Sequence, residues 1–142
     1  MSSVLPSPTT PFGERVARRL RDELIVWLTT VGADGTPHPN PVWFLWDRDS
    51  LLVYSLTSAV RNQNIQRNPH VALNFDGNGQ GGDIIVITGE AHTSPNEPSA
   101  DQNAEYVAKY QDRITRSFGT PANFAAKYGT ALRITPTKVH GF

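Results

Sequence analysis

The sequence predicts a mainly β domain of the α+β class: a small antiparallel barrel of about six strands with a few peripheral helices. Six short runs rich in β-branched and aromatic residues are separated by turn residues. Strands and helices do not alternate as they would around a parallel sheet. At 142 residues, we expect one domain over residues 12–142, preceded by a flexible lead-in over residues 1–11 that is rich in Ser, Thr and Pro.

A helix and a hairpin are predicted first along the chain. Thr10 is suited to cap the helix and Pro11 to open it. Its apolar side has four-residue spacing and consists of Phe12, Val16 and Leu20. The run Leu24–Val31 then predicts a strand, and Asp34-Gly35 predicts the hairpin turn that follows it.

The second strand of this hairpin carries prolines at every second position, Pro37, Pro39 and Pro41. Proline has no amide hydrogen, so these residues require a sheet edge or an interrupted ladder, and we expect an irregular start to the strand. The strand is expected to continue through Val42–Trp46, which is apolar on both alternations. This pattern predicts either burial on both faces or one face in the core and the other in an interface.

A strand, a short helix and another strand are predicted in the middle of the chain. Leu51–Leu56 is the strand, and Arg61–Arg67 is the helix, which we expect to be capped by Ser58 and ended by Asn68-Pro69. The alternation in Val71–Phe75 predicts the next strand.

In the last third of the chain, the sequence predicts two helices with a strand before them and a strand after them. Ile84–Gly89 reads as a strand that could continue toward Thr93. Ser99 and Gln102 match a capping box for a helix whose apolar face comprises Val107, Tyr110, Ile114 and Phe118. A short helix beginning at Thr120-Pro121 and a closing strand over Ala131–Thr135, which could extend past Pro136, complete the prediction.

Composition excludes several classes of protein. The chain has no cysteine, which rules out disulfides, zinc thiolates and a thiol nucleophile, and suits a reducing cytoplasm. Thirteen basic and thirteen acidic residues cancel, so no net field favours nucleic acid or an anionic membrane. Because the longest apolar runs are too short to span a bilayer, we expect a soluble cytoplasmic protein.

The turn after Leu51–Leu56 concentrates polar groups suited to an anionic ligand. Hydroxyls, a guanidinium and amides occur within ten residues: Ser55, Thr57, Ser58, Arg61, Gln63 and Asn64. The start of a short helix reinforces a preference for anions. This pattern is compatible with a flat aromatic ligand that has an anionic tail, and equally with an ordinary strand-to-helix turn capped by a serine.

The glycine-rich segment and the histidines give weaker indications of a binding site. Gly77–Gly82 satisfies G-x-G-x-x-G, but the strand-like Asp83–Thr88 follows where a dinucleotide site needs a helix, so a flexible hairpin loop is the preferred interpretation. The four histidines are scattered without ligand spacing, which predicts no metal site. Only His38 lies close enough to the suspected pocket strand to be a ligand contact; the alternative is a surface residue.

Several short motifs occur in a characteristic order. Gly35-x-Pro37-x-x-x-Pro41-Val42-Trp43-Phe44 precedes Ser55 and then Arg61-x-x-Asn64-Ile65-x-x-Asn68-Pro69-x-Val71-x-Leu73. The chain thereby resembles the split β-barrel flavin and deazaflavin reductases related to pyridoxamine phosphate oxidase. Its likeness to the branch that uses the deazaflavin coenzyme F420 extends through Gly77–Gly89 and Thr120–Phe142.

The resemblance implies a six-stranded antiparallel split β-barrel that forms a homodimer, with the cofactor in a groove between the subunits. It places Arg61 where the family usually has a lysine near the cofactor phosphate, and Gln63 where a second basic residue is common. Because Gln63 is not basic, FMN is an alternative to F420. The implied cofactor-binding residues are Asn40, Pro41, Val42, Trp43, Ser55, Leu56, Thr57, Arg61, Gln63 and Asn64.

The function implied by the resemblance is hydride transfer from reduced F420 to an electron-poor small-molecule acceptor, with the protein supplying orientation and electrostatics. No catalytic side chain is assigned. The alternatives are an FMN-dependent oxidase or reductase on the same barrel, and a non-catalytic protein that binds a deazaflavin.

Overall fold

The computed structural model describes residues 4–142. Four α-helices are present in that range: α1 (Pro11–Asp22), α2 (Val60–Arg67), α3 (Ala104–Phe118) and α4 (Pro121–Lys127), with a 3₁₀ turn at Ala100–Gln102. The strands are β1 (Val26–Val31), β2 (Pro37–Val42), β3 (Leu45–Asp47), β4 (Ser50–Ser55), β5 (His70–Asn74), β6 (Ile85–Thr93) and β7 (Thr130–Gly141). All strand pairs are antiparallel, in the order β2-β1-β5-β6-β7-β4-β3.

The sheet curls into an open barrel because its two edge strands are neighbours in sequence. Only Trp43 and Phe44 separate the end of β2 from the start of β3. In a flat sheet of seven strands, the two edge strands would lie about 29 Å apart. The three residue steps from Val42 to Leu45 can span at most about 11 Å. The edges therefore meet, and no ladder joins β2 to β3 in the described part of the chain, which leaves the barrel split along this seam.

The antiparallel barrel prediction is confirmed, but the strand count of six is wrong. Val42–Trp46 does not continue one strand, because the chain crosses the seam at Trp43 and Phe44 and begins β3 at Leu45. Phe44 is fully buried among the barrel core residues, whereas Trp43 packs with the helices outside the barrel. The run is apolar at successive positions because its side chains pack into two different cores, one inside the barrel and one under the helices.

The prolines of β2 lie at a sheet edge, as predicted, but the strand is regular rather than irregular. Six consecutive residue pairs join it to β1, from Val26 with Val42 to Val31 with Pro37. Antiparallel ladders alternate between hydrogen-bonded and non-hydrogen-bonded pairs. The three prolines occupy every second position of β2 and so fall on the non-hydrogen-bonded pairs. The residues of β2 that hydrogen-bond to β1 are therefore His38, Asn40 and Val42. The proline nitrogens then face the free edge, which offers no amide donor at these positions to another strand.

Two of the predicted helix starts are confirmed. The Gly13 amide donates to the Thr10 hydroxyl (3.0 Å), and the Asn123 amide donates to the Thr120 hydroxyl (3.1 Å). The continuation of β6 to Thr93 and of β7 beyond Pro136 is also observed.

Two predicted serine caps are wrong. The residue that caps α2 is Ala59, without a side-chain bond, and Ser58 lies in the preceding turn. Asn62 instead fastens this turn, because its side-chain amide donates to the Leu56 carbonyl (2.9 Å). Ser99 precedes the 3₁₀ turn, and Asn103 caps α3.

The expected lead-in is only partly described. Residues 1–3 lie outside the described range. Leu5 packs against the barrel core, and the Thr10 hydroxyl donates to the Ser7 carbonyl (2.7 Å) just before α1 begins.

Strand β4 separates two hydrophobic cores. Leu51 and Val53 point into the barrel interior, where α1 contributes Val16 and Leu20. The alternate β4 residues face a layer formed by α3 and α4. This second core contains the buried residues Leu45, Leu52, Tyr54, Ala100, Tyr106, Tyr110, Ile114 and Phe124.

Helix α3 holds the link that crosses the seam. The Phe44 amide donates to the Tyr110 hydroxyl (2.8 Å), and this hydroxyl lies 2.8 Å from the Leu24 carbonyl oxygen and 3.0 Å from that of Phe44. The Lys109 ammonium donates to the Phe44 carbonyl (2.8 Å) and lies 3.8 Å from the centre of the Phe44 ring. Both backbone polar groups of Phe44 are thereby satisfied by one helical turn.

Replacing Tyr110 with Phe should lower the free energy of unfolding by about 1–3 kcal/mol, because the buried Phe44 amide loses its acceptor. Urea denaturation measures this change. Tyr128→Phe is the matched control, because it also removes a tyrosine hydroxyl. The Tyr128 ring is half-buried, and its hydroxyl has no hydrogen bond to another described residue. Equal stability of the two variants would contradict the role assigned to Tyr110.

Lys109 should make stability depend on pH. Burial lowers the pKa of Lys109 to about 8, against the opposing effect of Asp22 and Glu23. Between about pH 8 and the ordinary lysine pKa near 10.4, the unfolded chain binds a proton that the folded chain has released, so stability rises with pH. The stability difference between wild type and Lys109→Met should therefore shift in favour of wild type across this window, and urea midpoints measured at several pH values test it. A difference that is constant with pH would contradict the expectation.

Candidate functional site

A cavity of about 360 Å³ lies where β2, the end of β4 and α2 face the layer formed by α3 and α4. This volume falls in the range of small-molecule sites. Its lining is mainly aromatic and apolar and consists of Ile25, Pro41, Val42, Trp43, Tyr54, Leu56, Arg61, Tyr106, Ser117, Phe118, Phe124 and Tyr128.

Three of the lining residues, Trp43, Phe124 and Tyr128, belong to a column of four nearly parallel rings that Tyr110 completes behind the cavity wall. Tyr110 stacks on Trp43 with centroids 4.6 Å apart and planes inclined by 4°, and Phe124 stacks on Trp43 at 5.3 Å and 8°. Tyr128 then stacks on Phe124 at 4.4 Å and 5°. No ring contact joins Tyr110 to Phe124 although both stack on Trp43, so they cover its opposite faces. Trp43 therefore offers the cavity an edge, and its faces are not free for a ligand ring.

Phe118 closes the side of this column. Its ring is perpendicular to the rings of Trp43, Phe124 and Tyr128, with centroid separations of 6.4, 5.1 and 5.6 Å. Edge-to-face contacts of this kind are favourable between aromatic rings and fix their orientation. The aromatic wall is therefore largely preformed.

Arg61 is the cationic group of the cavity. It lies in the first turn of α2, where the helix dipole adds to its positive charge. One guanidinium nitrogen donates to the Ser55 hydroxyl (3.0 Å), whereas Nε is buried without a hydrogen-bond partner in residues 4–142. Burial lowers the pKa of Arg61, but an arginine remains charged at neutral pH.

No carboxylate of the described chain forms an ion pair with Arg61. Arg133 shows the usual arrangement for a largely buried guanidinium, because it pairs with both Asp47 and Glu97. An unpaired, half-buried cation is costly unless a ligand supplies the counter-charge. The electrostatics of the cavity therefore favour an anion.

Half of the ten predicted cofactor-binding residues line the cavity: Pro41, Val42, Trp43, Leu56 and Arg61. Ser55 is fully buried and contacts Arg61, which it orients. Thr57 is exposed beside the cavity, with its backbone amide donating to the Lys127 carbonyl (3.2 Å).

The other three predicted residues lie away from the cavity. Asn40 is half-buried on β2 and Gln63 is exposed on α2. Asn64 is only 3% exposed, and its side-chain amide donates to the Thr30 hydroxyl (3.1 Å). Asn64 therefore fastens α2 to β1.

The aromatic lining from α3 and α4 was not predicted as part of the site. The helical spacing of Tyr110 and Phe118 indicated a packed face, and that face also lines the cavity through Phe118. Tyr106 was missed altogether, although it precedes Tyr110 by four residues. Sequence spacing could have placed Tyr106 on the buried face of α3, but not in the same cavity as Arg61.

The remaining motifs lie elsewhere. Gly77–Gly82 forms a loop between β5 and β6, as predicted, in which the Asn78 side-chain oxygen accepts from the Gln80 and Gly82 amides (2.8 and 3.0 Å). His38 is exposed on β2. Neither the loop nor His38 lines the cavity.

Two further features concern residues 4–142 as a whole and not the cavity alone. No cluster of three or more potential metal ligands is found among these residues. None of the helices in this range has the length and apolar character needed to cross a membrane.

Comparison with known structures shows the same architecture. An F420 reductase is 27% identical, with a TM-score of 0.65 and coverage of 85% of this chain and 92% of that chain. The heme storage protein HutZ of Vibrio cholerae is 17% identical (TM-score 0.61; 90% and 93% coverage), and an FAD-binding protein of Mesorhizobium loti is 17% identical (0.64; 89% and 88%). The latter two show similarity of fold alone.

Sequence comparison gives the family. No curated protein matches the chain. The family model described as pyridoxamine 5'-phosphate oxidase matches residues 12–142, which is nearly the whole chain. Together with the split antiparallel barrel, this match shows that the chain belongs to the pyridoxamine 5'-phosphate oxidase family of split-barrel proteins.

Proposed function

We propose that the protein is an oxidoreductase that binds coenzyme F420 and transfers a hydride from its reduced form to an electron-poor small molecule. The observation that carries the proposal is the unpaired Arg61 guanidinium at an aromatic cavity. The cofactor combines a flat ring with an anionic tail, and these residue types suit both parts. The similarity to an F420 reductase supports the choice of cofactor.

Arg61 would hold the cofactor phosphate. Its Nε has no partner within the described residues, and Ser55 holds one of its other nitrogens in place. The amides of Val60 and Arg61 lie in the first turn of α2, where no helical carbonyl is available to them. A phosphate at this point would satisfy the guanidinium and compensate for its desolvation.

The flat ring would occupy the aromatic part of the cavity. Pro41, Val42 and Leu56 provide its apolar strand side, and Phe118 and Tyr128 provide its helix side. These residues exclude water and orient the ring, while the bound deazaflavin supplies the hydride. The chain need not supply a nucleophile, which agrees with the lack of any motif for one.

We also propose that two copies of the chain form the working protein, each completing the open side of the other's cavity. A shallow depression of about 350 Å³ on the sheet, lined by Thr29, Val31, Ala72 and Thr88 among others, would offer a second surface for such pairing. Sedimentation velocity should give twice the chain mass of 15.6 kDa. A single species at 15.6 kDa in the presence of cofactor would contradict the dimer.

Arg61→Ala should weaken F420 binding by about 1.5–3 kcal/mol, the magnitude of a hydrogen bond to a charged group. Fluorescence titration measures the dissociation constant. Gln63→Ala is the control on the same helix, because Gln63 is exposed and does not line the cavity. Unchanged affinity in Arg61→Ala, or an equal loss in both variants, would contradict the role of Arg61.

A parallel titration with FMN separates the two candidate cofactors. FMN also has a flat ring and a phosphate, so the Arg61 cavity suits it chemically, and a neighbour of the same fold binds FAD. We expect tighter binding of F420 and oxidation of its reduced form when an electron-poor acceptor is added. Bound FMN without F420 affinity would favour a flavin enzyme. Tight F420 binding without turnover over a broad acceptor panel would favour a non-catalytic binding protein.

A further inference from the structure

One of the residues that line the cavity, Tyr106, carries a buried hydroxyl without a hydrogen-bond partner in the described chain. Tyr106 lines the cavity and is 0% exposed. Its hydroxyl oxygen has no hydrogen-bond partner anywhere in residues 4–142. A buried hydroxyl without a partner costs free energy, so such groups almost always find one.

The other two buried tyrosines of this core, Tyr54 and Tyr110, follow that rule. Tyr54 donates to the Pro98 carbonyl (2.8 Å) and accepts from the Asn103 side chain (3.2 Å). Tyr110, one helical turn after Tyr106, accepts from the Phe44 amide (2.8 Å). Tyr106 differs from both, although it is at least as deeply buried.

Packing alone does not account for a tyrosine at this position. The Tyr106 ring lies edge-on to Tyr54 (4.8 Å) and is tilted against Tyr110 (5.0 Å) and Phe124 (5.9 Å). A phenylalanine ring would make the same contacts without burying a hydroxyl. Burial raises the pKa of Tyr106 above its usual value, so the group stays neutral and remains a hydrogen-bond donor.

We propose that the Tyr106 hydroxyl is a second anchor of the cavity, which donates a hydrogen bond to a carbonyl oxygen of a planar ring ligand. This inference rests on the proposed function for the location of the ring but does not require Arg61 or a phosphate. Two sources share this chemistry: the carbonyl-bearing ring of the cofactor, and a quinone-like acceptor. Arg61 would select the anionic tail, and Tyr106 would select the ring.

The first test uses the protein without ligand. Tyr106→Phe should melt at or above the wild-type temperature, because it removes an unpaired buried hydroxyl. Tyr110→Phe is the matched control, one turn away on the same helix, and it should melt lower. If Tyr106→Phe lowers the melting temperature as much as Tyr110→Phe, the hydroxyl has a structural partner such as a bound water, and the proposal is overturned.

The second test compares ring binding by wild type and Tyr106→Phe. The probes are F420, lumichrome, which is a neutral carbonyl-bearing tricycle without phosphate, and menadione, a simple quinone. Loss of one neutral hydrogen bond should weaken binding by about 3- to 10-fold. A loss with F420 and lumichrome assigns the cofactor ring to Tyr106, whereas a loss with menadione alone assigns the acceptor.

The outcomes separate this inference from the proposed cofactor. Lumichrome binding that depends on Tyr106, in a protein without F420 affinity, would support the anchor and reject the cofactor. Equal binding of every bound probe by wild type and Tyr106→Phe would overturn the anchor and leave the cofactor proposal intact. If no probe binds the wild type at its solubility limit, both proposals are overturned.

Discussion

The link of two residues between the edges of the sheet is the constraint on which the rest of the structure depends. Because Trp43 and Phe44 must carry the chain from β2 to β3, a seven-stranded sheet has to curl until its edges meet. Phe44 enters the barrel core and Trp43 leaves it. Tyr110 and Lys109 bind the backbone of Phe44 from outside the barrel, so the same contacts hold the link and dock α3.

The same link builds the candidate site. Since Trp43 is held between Tyr110 and Phe124, the residues just before it, Pro41 and Val42, face the helix layer across a gap. Arg61 enters that gap from the short α2 helix, which Asn64 fastens to β1. The cavity thus combines a packed aromatic wall with a cation that has no acidic partner in the described protein.

Sequence patterns predicted the antiparallel barrel and most element positions, because these depend on local periodicity. They also singled out Arg61 by its residue chemistry, and Arg61 lines the cavity. They did not predict the break at Trp43 and Phe44, since an apolar run looks the same whether it stays in one strand or crosses between two cores. The caps at Ala59 and Asn103 were missed because a nearby serine satisfied the local rule. The contribution of Tyr106 to the cavity depends on tertiary contacts, for which the chain provides no local signal.

The central claim is that the Arg61 cation binds the phosphate of a deazaflavin cofactor. A thermodynamic cycle tests it most directly, with F420 and its phosphate-free deazaflavin riboside titrated against wild type and Arg61→Ala. We expect wild type to prefer F420 by about tenfold or more, the magnitude of a charge-assisted contact, and the variant to lose most of this preference. The same preference in both proteins would contradict the claim.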